Sequence, residues 1–173
     1  MWQPFPVGAD ARLRRWLLDR GSLTRRVQER CSRFQLEVLA QRTATIDRDE
    51  LAIIGVHHGV RCVVREVSLN CGEQPVVFAH SVVQLRARRG AWHMLASLGN
   101  RPLGAALFAD PRVERFPLRF RRLNSRHELY DKALKLVERP PSGLWARRSL
   151  FELRGSRLLV TEVFLPAILA LAP

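Results

Sequence analysis

Two pairs of alternating, valine- and leucine-rich runs constrain this chain more than any other feature. Residues 60–69 and 76–85 flank the stretch NCGEQP, and residues 144–153 and 158–165 flank Arg154-Gly155-Ser156. Runs of this kind, separated by a few turn-forming residues, read as β-hairpins. Residues 34–39 add a further strand, with Phe34, Leu36 and Val38 alternating against Gln35 and Glu37. Helical spacing is confined elsewhere. Leu13, Trp16, Leu17 and Leu18 follow Asp10 as a cap and stop at Gly21; Ser22 caps a second turn carrying Leu23 and Val27. Asp47 and Glu50 form a capping-box pair before Leu51, Ile53 and Ile54. Leu129, Ala133, Leu136 and Val137 define a helix within 125–138, and a short helix is expected around Trp92, Leu95 and Leu98. The sum is an α+β domain, a twisted antiparallel sheet with helices packed on it, and the expected organisation is one domain over 1–173.

Composition removes several classes of function. The chain has 173 residues, 47% of them hydrophobic and 26% charged, which is ordinary for a globular protein. No window approaches the ~20 apolar residues of a membrane helix, and MWQPFPVGAD lacks the pattern of a secretory signal. Cys31, Cys62 and Cys71 are too scattered for a disulfide scaffold and read as structural or incidental thiols. These features predict a soluble protein of the reducing cytoplasm, with no membrane insertion. The net charge is +13, with 29 Lys+Arg against 16 Asp+Glu. Such a charge serves nucleic acid only when gathered on one face, and here arginine is spread along the chain. The Gly21 turn between two short helices, the second with Arg25, Arg26 and Arg30, lacks a supporting third helix. Nucleic acid is therefore not an expected partner. The five histidines show no metal spacing, and no GxSxG, P-loop or GxGxxG occurs, so no cofactor is expected.

The chemistry lies in two charges set into apolar rows. Alternation places Arg65 on one face with Val63, Val67 and Leu69, and Glu162 on one face with Leu158, Val160 and Phe164. A buried charge needs a partner. Either the two pair with each other, or one row faces solvent, or both line a pocket. The opposite faces (Cys62 and Val64; Leu159 and Val163) are apolar too, so periodicity does not identify the core face. In a pocket, Arg65 offers a planar fork for a carboxylate, and a glutamate in apolar surroundings exchanges protons near neutrality. That combination suits an anionic substrate whose reaction moves a proton.

At these strands the sequence resembles the chorismate lyase family, which supplies 4-hydroxybenzoate for ubiquinone synthesis. The matching stretches are WLLDRGSLTRR at 16–26, VREVSL at 64–69, PVVFAHSVV at 75–83, LGNRPLGAALF at 98–108, LWARRS at 144–149 and LLVTEVFLPA at 158–167. The resemblance implies a twisted antiparallel sheet and a ligand enclosed beneath two helical flaps. It implies removal of pyruvate from chorismate by a cofactor-independent lyase acting as a monomer. It assigns carboxylate binding to Arg65, the facing acid to Glu162, and backbone contacts to Leu103 and Leu23, the last standing where the family commonly has methionine. The second substrate carboxylate needs another donor; Arg147, sharing a face with Trp145 and Phe151, reads either as a solvated arginine or as that donor. Segment 109–143 looks longer than in the family's shorter members and is expected to be a surface elaboration. The competing expectation is a non-catalytic aromatic-acid sensor of the same fold, as in effector domains of transcription regulators.

Overall fold

The computed structural model describes residues 1–171. Chain order runs α1 (Ala11–Leu17), α2 (Leu23–Gln28), β1 (Phe34–Ala44), α3 (Arg48–Ile54), β2 (Cys62–Cys71), β3 (Gln74–Gln84), α4 (Leu103–Ala109), β4 (Glu114–Arg115), β5 (Arg119–Leu123), α5 (Glu128–Leu134), β6 (Leu144–Leu153) and β7 (Ser156–Phe164). All strand pairings in the sheet are antiparallel, in the order β1-β2-β3-β7-β6-β4, with β5 pairing the same strand, β6, beyond β4.

Both expected hairpins form. In the second, Leu153 pairs with Ser156 and the two turn residues are Arg154 and Gly155, with φ of 52° and 70°. A two-residue turn with positive φ at both positions matches the twist of the strands it joins. The first hairpin turns later than its sequence suggests. Asn70 and Cys71 stay in β2, and Gly72 takes the left-handed φ of 59°. Helix caps follow the sequence closely. The Asp10 carboxylate accepts from the N–H groups of Arg12 and Leu13, Ser22 Oγ accepts from Arg25 N–H, and Asp47 and Glu50 close a capping box.

Two expectations fail. Cys31 and Cys71 are joined in a disulfide that ties the end of α2 to the end of β2; only Cys62 is free among the described residues. The pairing spans forty positions of sequence and arises from packing α2 against β2, which no local pattern encodes. The cysteine count therefore gives no argument for a reducing compartment. Segment 109–143 is also no surface elaboration. Strands β4 and β5 extend the sheet along β6, and Phe120, Leu123, Leu129, Tyr130 and Ala133 are buried.

The sheet is covered on both faces, so every residue of β2 from Cys62 to Asn70 is buried. On the face that carries Arg65 and Glu162, two apolar clusters stand apart. One joins Trp16, Leu17, Leu23 and Val27 of α1 and α2 to Val67, Leu69 and Phe164. The other joins Trp92, Leu95, Leu98 and Leu107 to Val63, Val83 and Leu158. Burying each such side chain stabilises the fold by about 1.5–3 kcal/mol. On the opposite face, Ile54 of α3 packs on Val64, Val82 and Leu159, and Leu129 and Ala133 of α5 belong to the cluster around Phe78 and Val163. Arg26 of α2 and Arg30, two residues past its end, lie over the Trp16 ring, at 4.5 and 5.7 Å from its centroid.

Candidate active site

Between the two clusters of the first face a cavity remains under the covering helices. Its floor is one face of adjacent strands: Arg65 and Val67 of β2, Ala79 and Ser81 of β3, Val160 and Glu162 of β7, Arg147, Ser149 and Phe151 of β6. Its roof is the start of α2 and of α4. Leu23 and Leu103, the first residues of those helices, both line it. The first N–H of a helix has no intrahelical acceptor. The two helices approach closely where Gly104 meets the Ser22 cap: a Cβ at Gly104 would stand 3.0 Å from Ser22 Oγ. All four residues singled out in the sequence, Arg65, Glu162, Leu23 and Leu103, therefore meet at one cavity.

Arg65 is 5% exposed. Its guanidinium donates to Gln41 Oε1 at 3.0 Å and to the Arg101 carbonyl at 3.4 Å, and it has no acidic partner among the described residues. Burial lowers its pKa. Glu162 is not the partner. Register sets Arg65 opposite Ser81, and Ser81 opposite Val160, so β3 lies between the two charges and Glu162 is two residues further along. Strand spacing and rise put their Cα atoms roughly 12 Å apart. Long side chains of that separation reach toward opposite ends of one aromatic ring.

Glu162 is held from the side. Arg147, its lateral neighbour on β6, donates from Nε to Glu162 Oε2 at 2.5 Å. The expectation of an acid in purely apolar surroundings is thus corrected: this carboxylate sits against a guanidinium. Arg147 itself is 1% exposed. Its Nη1 donates to the carbonyls of Asp19 at 2.5 Å and Trp16 at 3.4 Å, at and just past the C-terminal end of α1. A cation there answers the unpaired carbonyls of the helix end. The charge of Arg147 is thus matched by Glu162, which leaves it no net charge to offer a second carboxylate.

Sequence reasoning missed Arg115, whose short strand lies where the alternation of Val113 against Arg112 and Glu114 gives way to an arginine-rich run. It pairs with Phe151 across β4 and β6 and lines the cavity. Its guanidinium lies 5.1 Å from the Phe108 ring centroid and 5.5 Å from that of Phe151. It donates to Ser149 Oγ at 2.9 Å and to the Arg20 carbonyl, while its buried Nε has no hydrogen-bond partner.

The opposite face of the same strands carries charges of another kind. Glu66 meets His80 at 3.1 Å, Lys132 at 3.0 Å and Arg42 at 3.2 Å. His80 also faces Glu50 at 3.5 Å. Asp47, Asp49 and His127 come close enough to hold a metal ion, which no spacing in the sequence suggested. Asp49 Oδ2, however, already faces Trp2 Nε1 at 2.6 Å and Arg148 at 3.2 Å, with Arg121 and His127 at 3.6 Å. Arg148 and Arg121 leave little negative charge on Asp49 for a metal. Burial raises the pKa of Asp49, yet the hydrogen bond from His127 and the charge of Arg148 outweigh it and hold the group well below the usual range.

A sheet with helices roofing a cavity that holds a guanidinium without an acidic partner among the described residues is an α+β domain of a known fold. The effector domain of PhnF from Mycobacterium smegmatis superimposes with a TM-score of 0.59 at 13% identity, covering 86% of this chain and 91% of that one. The C-terminal domain of the histidine utilization repressor from Pseudomonas syringae pv. tomato does so with a TM-score of 0.57 at 11% identity, covering 78% and 93%. At such identities the likeness concerns the fold alone. Sequence kinship is narrower: residues 7–171 match the chorismate lyase family, and the chain belongs to it. A probable chorismate pyruvate-lyase of Nitrosospira multiformis is 51% identical over 99% of this chain and 96% of its own length. Another, of Aromatoleum aromaticum, is 53% identical over 93% and 88%.

Proposed function

We propose that the chain is a chorismate pyruvate-lyase, releasing pyruvate and 4-hydroxybenzoate from chorismate for ubiquinone biosynthesis. The observation that carries this reading is Arg65, a buried cation without an acidic partner among the described residues, at the floor of a cavity roofed by Leu23 and Leu103. A buried unpaired charge is costly, and a substrate carboxylate removes that cost. In this reading Arg65 grips the ring carboxylate. Glu162 lies at the other end, its Oε2 fixed by Arg147 and its Oε1 left for the ring hydroxyl. The N–H groups of Leu23 and Leu103 hold ligand oxygens beneath the flaps.

Elimination breaks the ether C–O bond and removes a ring proton. The enolpyruvyl fragment leaves as pyruvate, and the ring becomes aromatic. Aromatisation supplies driving force, so the residues have to bind, orient and exclude water rather than supply an oxidant. Glu162 assists the proton movement at the hydroxyl end. The enzyme is read as a monomeric single domain over 1–173, acting in the cytoplasm. No helix among the described residues is long and apolar enough to cross a membrane.

Incubation of the chain with chorismate, followed by pyruvate assay and identification of the aromatic product, tests the reading. Equimolar pyruvate and 4-hydroxybenzoate are expected; chorismate that binds but is recovered intact identifies a sensor instead. Glu162→Gln should lower kcat by about 10²–10⁴ with a smaller change in ligand affinity. A variant with full kcat removes Glu162 from the chemistry.

A further inference from the structure

We infer that Arg115 is the receptor for the second carboxylate of the substrate, the one on the enolpyruvyl arm. The inference rests on the lyase reading above and extends it to a residue that reading does not use. Chorismate carries two carboxylates, and each anion drawn into a chamber that excludes water needs its own cation. Three arginines line the cavity: Arg65, Arg115 and Arg147. Arg65 takes the ring carboxylate. Arg147 is committed to Glu162 and to the two carbonyls at the end of α1. Arg115 is the remaining one whose charge meets no carboxylate among the described residues. Its partners are a hydroxyl and a carbonyl, and its buried Nε is unpaired.

The surroundings suit this role. Phe108 and Phe151 lie on the guanidinium, which limits its freedom and lowers its hydration, both favourable for gripping a planar carboxylate. Ser149 Oγ, at 2.9 Å from Nη2, also lines the cavity and offers a hydroxyl beside it. Location matters as well. Arg115 and Phe108 also line a second opening with Arg20, Phe116, Pro117 and Leu118. The guanidinium therefore stands in the wall between chamber and surface. A carboxylate held there points the enolpyruvyl arm outward, so the cleaved pyruvate lies on the exit side while the aromatic product stays under the flaps.

The substrate and the aromatic product separate this role from a structural one, because 4-hydroxybenzoate lacks the second carboxylate. In the full-length chain, Arg115→Gln should raise the KM for chorismate by about tenfold to a hundredfold, with the affinity for 4-hydroxybenzoate unchanged. Arg115→Lys, which keeps the charge but loses the fork, should fall between. An unchanged KM in Arg115→Gln overturns the inference. So does a parallel loss of 4-hydroxybenzoate affinity, which marks Arg115 as a packing residue. A wild type that binds chorismate without releasing pyruvate overturns the lyase reading alone. The ratio of chorismate to 4-hydroxybenzoate affinities, measured by equilibrium titration of wild type and variants, then still decides the assignment of Arg115.

Discussion

The two faces of one sheet treat buried charge in opposite ways. On the far face Glu66 meets Lys132 and Arg42 and faces His80, and Asp49 meets Arg148 and Arg121, while Asp47 is buried beside Glu128. On the cavity face Glu162 and Arg147 cancel, but Arg65 and Arg115 remain without acids. The contrast teaches that burial of charge alone does not mark a site. Balanced charges join elements together, α3 and α5 to the sheet in this case, whereas uncompensated ones of a single sign inside a chamber call for a ligand of the other sign.

Variants on the two faces should therefore fail differently. The largest effect is expected from Glu66→Ala, which leaves His80 with Glu50 alone and Lys132 with Glu128 alone; removing one partner of a buried ionic network costs about 3–5 kcal/mol. Its denaturation midpoint should fall well below that of the wild type, while molecules that remain folded bind 4-hydroxybenzoate normally. Loss of binding without loss of stability would blur the distinction between the faces. Next comes Arg65→Met, expected to weaken 4-hydroxybenzoate binding by about 2–5 kcal/mol. Since it removes an uncompensated buried cation, its Tm in the absence of ligand should not drop. A drop comparable to that of Glu66→Ala would make Arg65 a structural residue.

A smaller effect separates the faces by pH. Burial alone would lower the pKa of His80, but its hydrogen bonds to Glu50 and Glu66 and their charges raise it above the ordinary histidine value. A raised folded pKa contributes stability that is complete below the unfolded value, near 6.5, and is lost as pH rises through the folded value. The loss amounts to about 1.4 kcal/mol per pH unit between the two. Asp47, raised to about 7 by burial and by Glu128, adds to the decline up to that pH. His80→Gln should flatten the alkaline limb above pH 7; an unchanged limb would show that the His80 cluster does not govern it. The smallest effect is expected at the flaps. Gly104→Ala sets a methyl group 3.0 Å from Ser22 Oγ, disturbing the α2 cap at a cost of about 1 kcal/mol. It should loosen the roof and speed release of 4-hydroxybenzoate in a stopped-flow displacement assay. A release rate equal to that of the wild type would remove the roof from the account.

Much of this arrangement is legible in the sequence because it is local. Caps at Asp10, Ser22 and Asp47, the alternation of the hairpins, and the positions of Arg65 and Glu162 in apolar rows all rest on neighbours a few residues apart. The family resemblance added Leu23 and Leu103. What alternation does not convey is which strands lie side by side. Glu162 looks isolated along β7, yet Arg147 reaches it across β6. Glu66, next to Arg65 in sequence, points the other way into a network built from β3 and α5. Cys31 and Cys71 become partners only when α2 docks on β2, and Arg115 enters the chamber only because β4 pairs with Phe151 at the edge of β6. Because β2 is buried on both faces, its hydrophobicity gave no sign of which face holds the ligand.

The structure of the chain with 4-hydroxybenzoate bound tests the central claim most directly. The ligand is expected between the flaps and the sheet, its carboxylate on the Arg65 guanidinium and its hydroxyl on Glu162. A ligand lodged on the far face near His80, or one in the chamber with its carboxylate away from Arg65, would contradict it.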